Sequence, residues 1–131
     1  MSQRVVSPKQ MEAILKLPGP ERYDHFIKHV ADCEEAWGLW RDGWAMGEDD
    51  SGAPTFPIWP AKDYAALSAD GPWTGYEPAS IPLDDLINEL LPKLEEDEVK
   101  PSIFRTPQGD AVMPDIPQLM ADLQREMSRY E

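Results

Sequence analysis

The sequence predicts a single α+β domain spanning residues 1–131. It has a small, mainly antiparallel sheet of about four or five strands, with helices packed mainly on one face. An N-terminal helical hairpin and a C-terminal helix complete it. Three observations predict this fold class. The 131 residues are the length of about one domain, and no linker or low-complexity tract divides them. Apolar residues recur at helical spacing towards both ends of the chain and alternate in the stretch after residue 36. Turn residues at Pro18 to Pro20, Asp42-Gly43, residues 48 to 52 and residues 107 to 110 cut these runs into short elements.

The elements follow in order. Ser7 and Pro8 start the first helix, a hydroxyl cap followed by proline at the first helical position. Met11, Ile14 and Leu15 continue it until residues 17 to 20 end it. Pro20 opens a second helix whose core-facing stripe is Tyr23, Phe26, Ile27, Val30 and Cys33.

From Trp37 to Met46 the pattern alternates about Asp42-Gly43, a hairpin signal because the favoured two-residue turn needs positive φ at both positions. Such a turn pairs residue 41 with 44, 40 with 45, 39 with 46 and 38 with 47. Trp37, Leu39, Trp44 and Met46 then share a core face, with Arg41 at the turn. Gly38, Trp40, Ala45 and Gly47 share the other, a single indole above small residues. The helix at 61–69, another segment of the chain or a partner is expected to cover it.

A turn at 48–52 leads to a third strand at 55–59, where Pro57 cannot donate to a ladder. That strand lies at an edge, or it points this position outward. A helix at 61–69, a loop at 70–75 and a short strand at 76–81 follow. Pro82 starts a helix carrying Leu83, Leu86, Ile87, Leu90, Leu91 and Leu94, which Pro92 should kink or divide. A strand at 99–106 and a turn at 107–110 precede the last helix, marked by Ile116, Leu119, Met120, Leu123 and Met127.

Four blocks carry a family resemblance: "LPGPERYDHFIKHVADCEEAWGLWRDGWAM", "FPIWPAKDYAAL", "GYEPASIPLDDLINELLPKLEEDEVKPSIFRTP" and "LMADLQREMSRYE". Together they resemble the DUF2750 family, a bacterial family of unknown function, from about residue 10 to the end. The resemblance implies no activity and no catalytic residue. The order of elements is similar to the SseB amino-terminal domain, and small proteins of this style occur among bacterial toxin-immunity proteins. That likeness of layout does not fix a function.

Twelve Lys and Arg face 25 Asp and Glu, a formal charge of -13. Such a surface repels nucleic acid and anionic membranes, so neither is an expected partner. It suits a basic protein partner, because complementary charge steers association. Cys33 is the single cysteine, which excludes an intramolecular disulfide and argues against a Cys-based zinc site. No signal peptide and no run of ~20 apolar residues is present. A cytoplasmic monomer or homodimer is the expectation.

The candidate chemistry is thin. His25 and His29 share a helix face, but residues 25 and 33 lie ~12 Å apart along the axis, too far for Cys33 to complete one ion's shell. Asp84, Asp85 and the acidic residues 95–98 belong at helix ends. Neither a nucleophile elbow nor a phosphate loop is present, and Cys33 sits mid-helix, where nothing lowers its pKa. No catalytic residue, metal or cofactor is therefore expected. Two site readings remain. The first is a non-enzymatic protein-binding domain, such as an immunity or accessory protein, contacting its partner through Trp40, Glu48, Asp49 and Asp50. The second is a small-molecule-binding protein or enzyme with a pocket lined by Trp59, Asp63, Tyr64, Trp73 and Tyr76.

Overall fold

The structure is a computed structural model that describes residues 8–69, 73–106 and 111–130. The Ser7 cap and the turn at 107–110 lie outside the described residues, as does part of the loop at 70–75. The chain runs α1 (Pro8–Leu15), α2 (Gly19–Cys33), β1 (Glu35–Trp40), β2 (Gly47–Glu48) and β3 (Pro54–Ile58). It continues through α3 (Lys62–Leu67), β4 (Glu77–Pro82), α4 (Leu83–Asp85), a π turn (Leu86–Leu90) and α5 (Leu91–Glu96). β5 (Lys100–Ile103) and α6 (Ile116–Met127) complete it, the latter ending in a 3-10 turn (Ser128–Tyr130). The α+β class is as the sequence predicts.

Local chemistry sets the helix ends. α2 stops at Glu34, whose φ of 58° is left-handed. α6 starts at Asp115, whose carboxylate accepts a hydrogen bond from the Gln118 N–H at 2.8 Å, with Pro117 in the first turn. Pro92 does not simply break its helix. It has no N–H for the Asn88 carbonyl, and the ladder has already slipped one residue before it, since Leu91 N–H bonds to the Leu86 carbonyl. The π turn absorbs the proline, and Leu86, Leu91 and Leu94 all stay buried.

The sheet carries one parallel step. β1 pairs antiparallel with β4, from Glu35 opposite Pro82 to Trp40 opposite Glu77. β3 lies between β2, antiparallel, and β5, parallel. Trp37 and Trp59 join the two pieces, exchanging N–H to carbonyl bonds of 2.9 and 2.8 Å. β3 is therefore an inner strand, not an edge strand. Pro57 is tolerated because of where its missing amide points. The Ile58 carbonyl accepts from Phe104 N–H at 2.8 Å, so Ile58 and Phe56 turn their backbone groups towards β5. Pro57 turns the other way, between the Gly47–Thr55 pair and the Trp37–Trp59 pair, where the ladder has a gap.

The turn after β1 departs from the expected register by one residue. Trp40, not Arg41, pairs with Trp44. Arg41 N–H donates to the Gly43 carbonyl and Ala45 N–H to the Leu39 carbonyl. Asp42 and Gly43 do take positive φ, 56° and 154°, but inside a three-residue loop, the next commonest hairpin connection. A one-residue slip exchanges faces. Ala45 is buried and Met46, expected in the core, is 43% exposed. Leu39 stays inside, as predicted.

The core gathers Phe26 and Val30 of α2, Ile58, Leu86, Leu91, Ile103, and Leu119 and Leu123 of α6. Each such side chain contributes about 1.5–3 kcal/mol on burial. Tyr23 fastens α2 to α6 by donating to the Asp122 carboxylate at 2.6 Å.

Candidate functional site

Strand alternation puts Thr55 and Pro57 of β3 on the same face as Lys100 and Ser102 of β5. Phe56, Ile58 and Ile103 go to the other face, in the core. A groove of about 660 Å³ runs over the polar face. Thr55 and Ser102 line it, the acidic stretch 48–51 forms one side, and Lys100, Arg105 and Met113 form the rest. Met113 also lines a second, apolar crevice of about 420 Å³ with Val99, Pro101 and Ile116.

Arg105 is positioned by a sharp change of backbone direction. Phe104 has a φ of 55°, costly for a bulky side chain. Three contacts hold it there: its N–H on the Ile58 carbonyl, its carbonyl accepting from Arg22 Nε at 3.1 Å, and its ring against Tyr64 at 4.7 Å. Arg22 is buried and also donates to the Leu17 carbonyl at 3.0 Å. The next residue, Arg105, then lays its guanidinium over Trp73, 5.0 Å from the ring centroid. Trp73 is a fixed platform. Its Nε1 donates to the Met46 carbonyl at 3.2 Å, and Trp59 meets it edge-on at 6.0 Å. Trp59 Nε1 in turn donates to the Arg105 carbonyl at 2.9 Å.

The three acidic candidates have different situations. The Asp49 carboxylate accepts from Ser51 N–H, Ser51 Oγ and Ala53 N–H, and pairs with Lys100 Nζ at 3.0 Å. The Ser51 hydroxyl, then Lys100 and the Ala53 amide, hold its carboxyl well below the usual carboxylate range. Asp49 is occupied in building its own loop. Glu48 and Asp50 are exposed on the groove rim.

Trp40 is 46% exposed. The indole lying over the small-residue floor is Trp44, because a Cβ placed on Gly38 would fall 2.9 Å from Trp44 Cζ3. Trp40 stands edge-on to Trp44, with centroids 5.0 Å apart. Its flanks are acidic: Glu77 sits directly across the strand pair and Asp42 follows in the loop, both exposed.

The other candidates are core or near it. Trp59, Tyr64 and Trp73 are all buried, while Asp63 and Tyr76 are half-buried. Burial, helped by Asp63, pushes the Tyr64 hydroxyl up to about 12. The rings of His25 and His29 lie 5.6 Å apart, and His25 also meets Phe104. Burial lowers the His25 pKa, with Asp24 opposing. Among the described residues no group of three or more His, Cys, Asp or Glu side chains is placed to hold a metal ion.

Sequence reasoning missed Thr55, Lys100, Ser102 and Arg105. Their signal was present as polar residues alternating with Phe56, Ile58 and Ile103, but joining the two strands required the β3–β5 register.

The model of a family described as "Protein of unknown function (DUF2750)" matches residues 23–123. No curated protein matches the chain.

Proposed function

The chain belongs to the DUF2750 family, which fixes no activity, and we propose that it is a non-enzymatic domain that binds a basic protein partner at Trp40. The observation that carries this reading is an indole left 46% exposed, with exposed Glu77 opposite it in the strand pair and exposed Asp42 two residues on in the loop. An indole face attracts a Lys or Arg side chain by about 0.5–1 kcal/mol at an exposed site and about 2 when water is excluded. The nearby Glu77 and Asp42 add charge complementarity, and the net charge of -13 steers a basic partner towards the domain. Glu48 and Asp50, exposed on the groove rim, are further acidic residues that such a partner could contact. A toxin neutralised by this domain is one partner of that chemistry. The compartment proposed is the cytoplasm, which suits a chain whose single cysteine, Cys33, is buried and can form no intramolecular disulfide.

A ligand pocket near residues 59–76 has weaker support, because Trp59 and Tyr64, two of its expected lining residues, are buried in the core. Affinity capture from the native host with wild-type protein, Trp40→Ala and Asp42→Asn/Glu77→Gln tests the proposal. The expected result is a basic protein retained by wild type and lost from both variants at moderate salt. Equal recovery on all three baits would overturn the proposal.

A further inference from the structure

The groove over β3 and β5 is a second site, independent of Trp40, and its lining divides into three sets. Asp49, Ser51 and Lys100 satisfy one another, since the Asp49 carboxylate accepts from Ser51 Oγ at 2.6 Å and from Lys100 Nζ at 3.0 Å. Ala111 and Met113 are apolar, and Met113 is 43% exposed. The third set is polar and unsatisfied. Glu48, Asp50 and Arg105 line the groove, yet among the described residues none of them makes an ion pair. Thr55 and Ser102 line it too, each only 4% exposed, and neither hydroxyl has a hydrogen-bond partner among the described residues. Such a hydroxyl costs stability unless water or a ligand in the groove meets it.

Charges of both signs gather at one end of this groove. Thr55 pairs with Gly47, and Glu48 is the next residue. A Cβ on Gly47 would lie 3.0 Å from Thr55 Oγ1 and 3.5 Å from Trp73 Cζ2. The hydroxyl and the indole therefore lie beside one another at the acidic end. That indole carries Arg105, whose Cζ is 5.0 Å from the ring centroid. A cation, a buried hydroxyl and acidic side chains thus share one stretch of the groove with no ion pair between them.

This arrangement decides the charge of the occupant. A simple anion drawn to Arg105 meets Glu48, Asp50 and the field of a chain with net charge -13. A simple cation drawn to the carboxylates meets Arg105. A zwitterion avoids both penalties, because it is neutral as a whole and each desolvated charge finds a partner. One with both charges on a single carbon suits a site whose charges lie at one end, and a longer dipole does not.

We propose that the groove binds a free α-amino acid with an apolar side chain. Arg105 and the hydroxyls of Thr55 and Ser102 are the donors for its carboxylate. Its ammonium faces Glu48 and Asp50, and its side chain lies along Ala111 and Met113.

L-Leucine is a direct probe, followed by backbone amide shifts and by the Trp73 indole N–H. The expected result is saturable binding that moves Gly47, Thr55, Ser102 and Trp73. Two analogues each delete one charge: isocaproate lacks the ammonium, and isoamylamine lacks the carboxylate. On wild-type protein each should bind about tenfold more weakly than leucine, the scale of one lost charge-assisted bond. Arg105→Gln should weaken leucine but not isoamylamine, and Glu48→Gln/Asp50→Asn should weaken leucine but not isocaproate. The analogue comparison needs no substitution, so it decides even where a variant fails to fold. Either analogue binding as tightly as leucine would overturn the proposal. So would equal binding of the tripeptide Leu-Gly-Gly, whose charges lie further apart. No saturable shift with leucine, or a folded variant of either kind that binds leucine as wild type does, would also overturn it.

Discussion

Single titratable groups give this molecule a stability window. Tyr23 donates to Asp122, and burial, then that bond, raises its pKa well above the ordinary 10.0. A pKa raised in the folded state contributes stability that is complete below the unfolded value and is lost as pH rises past it. Tyr64, raised to about 12, acts in the same direction. Denaturant midpoints should therefore fall once pH exceeds the ordinary tyrosine value. Tyr23→Phe should show a shallower alkaline fall, at a cost of about 1 kcal/mol near neutrality. An unchanged alkaline slope in that variant would remove Tyr23 from the account. On the acid side the signs reverse. His25 and Asp49 have lowered values, so their contribution is present above the unfolded pKa and is lost as pH falls through it. At this scale the sequence was partly legible. Trp59 and Leu39 were recognisably apolar, but Trp40, Trp44 and Ala45 depended on a turn whose two-residue and three-residue forms use the same Asp-Gly pair.

Between neighbouring elements, the clearest test lies where β1 meets the segment that returns from its turn. Trp44 can lie over β1 only because residue 38 has no side chain. Gly38→Ala should force the indole off and cost about 1–3 kcal/mol, as overpacking does, read as a lower melting temperature. Shrinking the ring in the double variant Gly38→Ala/Trp44→Leu should cost less than the two single changes added together. Strict additivity would mean that the two residues do not meet. Elements with strong periodicity were legible within a residue or two: α2, α6, and the helix opened by Pro82. The consequences of proline were legible only as alternatives. Pro57 left open an edge strand or an outward position, and only the gap between the β2 and β1 pairings decides for the latter. Pro92 announced an interruption, but whether a kink or a π turn absorbs it depends on the packing of Leu86 and Leu91.

Across the whole molecule, charge and topology have separate consequences. A net charge of -13 repels itself, and salt screens that repulsion over about 10 Å at 0.1 M. Thermal midpoints should rise as sodium chloride is added from low ionic strength, while capture of a basic partner through Trp40 should weaken over the same range. A flat melting temperature would mean that local pairs such as Asp49–Lys100 already balance the surface. The α+β class was legible from composition and periodicity. The groove was not, because its two walls come from strands joined only through everything between residues 59 and 99. That parallel pairing has a consequence in time. Such long-range closure bears its entropy cost before any contact rewards it. β5 should therefore seat late, after the hairpin and the helices that precede it. Arg105 would then reach Trp73 only in a chain that has finished folding, and no partly folded form would present the groove.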